Sequence, residues 1–187
     1  SARAIMRILI AYASFEGQSE KIASRIAGAL EHCGATPLLI NTREQPDASF
    51  PPECDGLVAG GPLHREQHPL ELAKWLTAHH AEWAQLPVAF FSVSLSAASD
   101  RQQDQDDAQH VMQQFLDDIG MQTAISVTFA GALKYSRYGF LKKRIMRNIV
   151  KKSGGKDLDM SMDYEYTDWG EVEEFARRFT ALVTSQS

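Results

Sequence analysis

The sequence predicts an α/β fold in one domain over residues 6–184, with helices covering both faces of a doubly wound, five-stranded parallel sheet. Two observations predict it. Short apolar runs of strand length alternate with amphipathic helical patterns along the chain. Those runs are apolar at successive positions, as strands buried on both faces require, instead of polar at every second residue.

Met6-Arg7-Ile8-Leu9-Ile10-Ala11-Tyr12 reads as the first strand. Ile22, Ile26, Ala29, Leu30 and Cys33 then recur at helical spacing, and Gly34 ends that helix. Thr36 to Asn41 is a second strand and Asp55 to Gly60 a third, followed by a helix from Leu70 to Trp83. Val88 to Val93 is a nearly all-apolar fourth strand. The polar stretch Ser99 to Asp107 leads into a helix marked by Val111, Met112, Phe115, Leu116 and Ile119, and Ala124 to Ala130 is the fifth strand. Thr167 or Asp168 caps a last helix whose stripe is Val172, Phe175, Ala176, Phe179, Leu182 and Val183. Residues 131–166, between the fifth strand and the last helix, break the rhythm as an insertion.

The composition narrows the function classes. A chain of 187 residues with 44% hydrophobic content suits one soluble domain, and no apolar run approaches the roughly 20 residues that cross a bilayer. The residues from Ser1 to Met6 lack the apolar stretch of a secretory signal, so none is expected. Cys33 and Cys54 offer neither metal spacing nor a disulfide framework, which fits a cytoplasmic protein without a metal and predicts both thiols buried and inert. The net charge of −5 hides an asymmetry: Ile119 to Lys156 carries nine Lys or Arg and no Asp or Glu. An acidic body with one basic segment excludes a general nucleic-acid binder and points to a local anionic partner.

Ligands of open parallel sheets bind beyond the carboxyl ends of the strands. Here that place is the loop Ser14-Phe15-Glu16-Gly17-Gln18-Ser19. Ser14 and Ser19 offer hydroxyls, Gly17 lets the backbone approach an anion, and the helix start presents free N–H groups. The loop lacks the glycine patterns of P-loop and dinucleotide folds, so a monophosphate held by neutral donors suits it. Two readings stay open on these residues alone: an anion site, or a plain turn with Ser19 as N-cap.

The loop resembles that of flavodoxins, which runs hydroxyl, any residue, hydroxyl, Gly, any residue, hydroxyl; Ser14, Gly17 and Ser19 match, and Glu16 departs from it. Gly61, Pro62, Leu63 and His64 after the third strand, and Ser92, Val93, Ser94, Leu95, Ser96 and Ala97 after the fourth, fall where flavodoxin-like proteins hold the flavin ring. Neither stretch supplies the usual Trp or Tyr pair. The resemblance tightens beyond the fifth strand. Ala130-Gly131-Ala132-Leu133-Lys134-Tyr135-Ser136-Arg137-Tyr138, Ser153-Gly154-Gly155 and Tyr166-Thr167-Asp168-Trp169 resemble the menaquinone-dependent protoporphyrinogen dehydrogenases of bacterial haem synthesis. This implies a flavodoxin-like sheet in the order 2-1-3-4-5, FMN as cofactor, protoporphyrinogen IX as substrate, a membrane quinone (menaquinone or ubiquinone) as acceptor, and peripheral attachment to the inner membrane. His64 is the one candidate for a catalytic group, by location.

The insertion supports three readings. Tyr138, Leu141, Ile145 and Ile149 share a helical face, with Lys142, Lys143, Arg144, Arg147, Lys151 and Lys152 around it. Such a helix can lie on an anionic bilayer. The same charges, Arg137 and Arg144 above all, can receive porphyrin propionates while Tyr135 and Tyr138 stack on the macrocycle. Or the helix packs on the domain with its lysines in water. Competing with the enzyme are a flavodoxin-type electron carrier, an NAD(P)H:quinone reductase and a domain that no longer binds flavin.

Overall fold

The computed structural model describes residues 5–133, 144, 145, 147, 148, 151 and 164–186. Five parallel strands form one sheet in the order β2-β1-β3-β4-β5: β1 Met6–Tyr12, β2 Ala35–Asn41, β3 Gly56–Pro62, β4 Val88–Ser94 and β5 Ile125–Ala130. The order and the parallel pairing agree with the sequence expectation. A short antiparallel ribbon, β6 Ala132–Leu133 with β7 Tyr164–Glu165, leads into and out of the insertion.

Strand alternation builds two cores from one sheet. Ile8, Ile10, Val58, Phe91 and Phe129 face α1 (Gln18–His32) and α5 (Trp169–Ser185), meeting Ile22, Ile26, Phe175 and Phe179. Leu9, Ala11, Leu57, Ala59 and Phe90 face α2 (Leu70–Ala78), α3 (His80–Trp83) and α4 (Gln102–Asp118), meeting Leu72, Trp75, Met112 and Leu116. Each of these fully buried large side chains contributes about 1.5–3 kcal/mol. Asp168 caps α5, accepting the Gly170 and Glu171 N–H groups at 3.0 and 3.2 Å.

Three expectations are corrected. The helix expected over Leu70 to Trp83 is broken at His79, where the Trp83 indole N–H donates to the Leu76 carbonyl at 2.7 Å and competes with the helical ladder. Most of the polar stretch from Ser99 to Asp107 is itself helical. Gln102 to Asp106 and Gln103 to Asp107 are i,i+4 amide–carboxylate pairs at 2.9 and 2.7 Å that support the first turns of α4. Cys33 is exposed, because α1 ends at His32 and the chain turns at Gly34 with φ 85°; Cys54 is buried as expected.

Candidate functional site

The loops after β1, β3 and β4 lie side by side because those strands are neighbours. Together with α4 and the start of the insertion they enclose a cleft of about 350 Å³, within the size range of small-molecule sites. From the first loop it is lined by Ser14, Phe15, Glu16, Gln18 and Ser19, from the second by Pro62, Leu63 and His64, and from the third by Val93, Ser94, Leu95 and Ser96. Gly17 closes the first loop. Gly61 and Ser92 are buried outside the lining, and Ala97 is also outside it.

Gly17 is the N-cap of α1 at φ 95°, a left-handed conformation that favours glycine. Its N–H donates to the Ser14 Oγ at 3.1 Å, which leaves the Ser14 hydroxyl proton for another acceptor. Lys21 is the first residue of α1 to close a helical bond, onto the Gly17 carbonyl at 3.0 Å, so the N–H groups of Gln18, Ser19 and Glu20 form the donor end of the helix. Below the loop, the Tyr12 hydroxyl donates to Glu20 at 3.3 Å; burial, then the neighbouring carboxylate, pushes its phenol up to about 12 and keeps it a donor.

Arg43, just beyond β2, is a site residue that sequence reasoning missed. It donates to the Ser14 carbonyl at 2.9 Å, and its guanidinium lies 4.1 Å from the Phe15 ring centroid. Phe15 is 44% exposed and faces His64 across 6.0 Å, so an aromatic pair does stand at the mouth, supplied partly by the phosphate loop itself. The signal was the strand order, which sets the end of β2 beside the end of β1.

The second loop is a tight reversal. His64 and Gln67 exchange backbone hydrogen bonds at 2.9 and 3.0 Å, with Arg65 and Glu66 between them at φ 49° and 61°. Positive φ at both central positions is the type I′ geometry that usually calls for Asn-Gly. His68 anchors the loop from behind: its Nε2 lies 2.8 Å from the Ser92 Oγ and its ring packs 4.7 Å from Phe115. Its Nδ1 is buried and has no hydrogen-bond partner among the described residues, and burial lowers the imidazole to about 4. His68 is therefore neutral, and Ser92, which shares the Phe90 face of β4, serves His68 instead of lining the cleft.

On the far side, Asp104, Asp107, Ala108 and Val111 of α4 complete the wall, another contribution the sequence did not announce. They meet the insertion here. Arg144 lies 3.4 Å from Asp104 and Arg147 lies 3.7 Å from Asp100, while the Asn148 amide donates to the Ala98 carbonyl at 2.9 Å. Ile145 is fully buried. Arg144 and Arg147 thus already have carboxylate partners on the domain. Tyr135, Arg137, Tyr138, Lys142 and Lys143 lie outside the described residues. Among the described residues no group of side chains could hold a metal ion.

The donor end of α1, the free Ser14 hydroxyl proton and the glycine at φ 95° fit a phosphate monoester, and the apolar and aromatic lining from Phe15, Leu63, His64 and Leu95 fits a flat ring. The family model described as a flavodoxin domain matches residues 9–159. The chain is 27% identical over 178 residues to the protoporphyrinogen IX dehydrogenase (quinone) of Escherichia coli K12, covering 95% of this chain and 97% of that one. It is also 27% identical to the protein of the same name from Leishmania major, covering 94% and 75%. Among solved structures, a flavodoxin variant from Pseudomonas aeruginosa superposes with a TM-score of 0.58 at 12% identity, covering 96% of this chain and 99% of that one. A flavodoxin from the domain Archaea gives 0.56 at 12% identity with the same coverage. The chain therefore belongs to the flavodoxin domain family, and its cofactor is FMN.

Proposed function

We propose that this protein is an FMN-dependent dehydrogenase that oxidises protoporphyrinogen IX to protoporphyrin IX and passes the electrons to a membrane quinone. The removal of six electrons and six protons would take three two-electron turnovers and reduce three quinones. The observation that carries the reading is the reach of the similarity. The matched relatives named for this reaction align with 95% of the chain, so the likeness takes in the insertion as well as the nucleotide-binding half.

When bound, FMN supplies the redox chemistry, taking a hydride equivalent and releasing electrons to the acceptor. The protein supplies placement. The N–H groups at the start of α1, with the Ser14 and Ser19 hydroxyls, would hold the phosphate. Leu63, His64, Leu95 and Ser96 would bracket the ring. Phe15 at the mouth would offer an aromatic face to a tetrapyrrole, with Arg43 behind it supporting its orientation. No proton transfer is assigned to His64.

Among the described residues no helix is long and apolar enough to cross a membrane. On this reading the quinone would be met at the membrane surface. Arg144 and Arg147 pair with Asp104 and Asp100, while contact with an anionic bilayer would fall to Lys142, Lys143, Lys151 and Lys152 of the insertion together with the exposed Arg147. Anaerobic assay of the purified protein with protoporphyrinogen IX and a menaquinone analogue tests the reading. Quinone-dependent formation of protoporphyrin is expected. Flavin that is bleached by NADPH alone, with no turnover of the tetrapyrrole, would favour a quinone reductase and overturn it.

A further inference from the structure

The chain leaves the insertion through β7 and crosses the start of α1 before it enters α5. Three residues of α1 on one helical face receive it. Gln18 donates to the Thr167 Oγ1 at 2.9 Å, Lys21 lies 3.4 Å from Glu165, and the Arg25 guanidinium sits 4.8 Å from the Trp169 ring centroid. Their i, i+3, i+7 spacing makes them neighbours along the helix. Thr167 is buried and passes the connection on, its hydroxyl donating to the carbonyl of Ala130, the last residue of β5, at 2.6 Å. Glu165 closes the cluster. Burial pushes its carboxyl up, but hydrogen bonds from Gln18, Trp169 and Lys21 outweigh this and hold it below the usual range.

Gln18 is also the first residue of α1, so this contact bears directly on the phosphate loop. The Gly17 N-cap has no side chain to fix the helix start, and no side-chain cap bond is made there. The first turn is held from outside instead, by the Ser14 Oγ on the Gly17 N–H, by Thr167 and Glu165 on the Gln18 amide, and by the Tyr12 hydroxyl on Glu20. A phosphate site built of backbone donors works only when those donors are held in convergent geometry beforehand.

We infer that Thr167 is a positioning residue for the flavin phosphate, acting through Gln18 to fix the first turn of α1 against β5. The inference rests on the reading of the cleft as an FMN site. It gives Tyr166-Thr167-Asp168-Trp169 a divided task, in which Asp168 caps α5 and Thr167 holds the phosphate loop. It also ties that loop to the neck of the insertion, because Tyr166 donates its N–H to the Gly131 carbonyl at 3.0 Å. Coupling of this kind is reciprocal: whatever the clamp adds to phosphate affinity, bound phosphate adds to the clamp.

The test uses the full chain with Thr167→Val, which keeps the volume and removes both hydrogen bonds, and Thr167→Ser, which restores the hydroxyl. Dissociation constants for FMN and for riboflavin are read from flavin fluorescence. Thr167→Val is expected to weaken FMN about tenfold, the scale of lost hydrogen bonds of ordinary net strength, and to leave riboflavin within about twofold. Thr167→Ser should recover most of the loss. Gln18→Met should weaken FMN at least as much as Thr167→Val, because it also removes the bond to Glu165, and the double variant should be no worse than Gln18→Met alone. Equal weakening of FMN and riboflavin, or no change in either, would overturn the inference. A cofactor-independent arm follows amide hydrogen exchange in the flavin-free protein. Exchange at Gly17 and Lys21, whose N–H groups are bonded to the Ser14 Oγ and the Gly17 carbonyl, should quicken in Thr167→Val, and unchanged exchange would overturn the clamp. Wild-type protein that binds neither flavin would overturn the FMN reading itself, an outcome distinct from a failed clamp.

Discussion

Lowering the pH toward 4.5 tests how the cleft wall is held in place. His68 has an ordinary value of 6.5 in the unfolded chain and about 4 in the fold, where burial penalises the imidazolium. Above pH 6.5 it is neutral in both states and contributes no pH dependence. Between 6.5 and 4 the unfolded chain takes up the proton and the folded one does not, so stability falls as the pH falls. Below 4 both states are charged and the loss is complete, at about 3 kcal/mol by 1.36 kcal/mol per pH unit. By pH 4.5 about 2.5 kcal/mol of it is gone. The loop most affected is 63–67, because protonated His68 must leave its buried place beside Ser92 and Phe115, and with it the anchor that opposes strain at Arg65 and Glu66. Residues other than Gly in the left-handed region cost roughly 1–2 kcal/mol each, so the turn has no reserve of its own. The assay is denaturant unfolding of the wild type and of His68→Gln at pH 7 and 4.5. The other titratable groups contribute equally to both proteins, so the difference isolates His68. The wild type should lose about 2–2.5 kcal/mol more than the variant over that interval. Equal losses, within about 0.5 kcal/mol, would refute the reasoning.

Two substitutions probe the rest of the site. A Cβ on Gly60 would lie 2.3 Å from the fully buried Phe91 ring, so Gly60→Ala should cost about 3 kcal/mol and lower the Tm by roughly 6–12 °C, with partial rescue by Phe91→Leu; an unchanged melting curve would contradict the packing. Glu16→Thr removes a carboxylate from the phosphate loop and restores the hydroxyl that the flavodoxin pattern carries there. FMN should bind about tenfold tighter with riboflavin unchanged, and titration at low and high salt should show the gain shrinking as salt rises.

The sheet was legible because its strands are buried on both faces, so apolar runs such as Val88 to Val93 survive without polar interruptions. Helix ends were less so. The spacing that carried Ile22, Ile26 and Ala29 on to Cys33 runs one residue beyond the last helical position, His32, and periodicity alone does not see that Cys33 is already the C-cap. In the site, the loop Ser14 to Ser19 and the stretches after β3 and β4 could be located from strand ends. What could not be read were pairings across the sequence. Arg43 reaches Ser14 over 29 residues, Ser92 turns to His68 over 24, and Thr167 reaches Gln18 over 149. The basic residues of the insertion illustrate the same limit: charge density left three roles open for Arg144 and Arg147, and their pairing with Asp104 and Asp100 on the domain could not be read from it.

The most direct measurement is an anaerobic single-turnover experiment on the FMN-loaded protein, followed at the flavin absorbance near the visible maximum. Protoporphyrinogen IX should bleach the flavin, and subsequent addition of a menaquinone analogue should restore the colour with protoporphyrin formed in proportion. Flavin that stays oxidised in the presence of the tetrapyrrole, while a chemical reductant bleaches it readily, would contradict the proposed function and leave the protein an electron carrier.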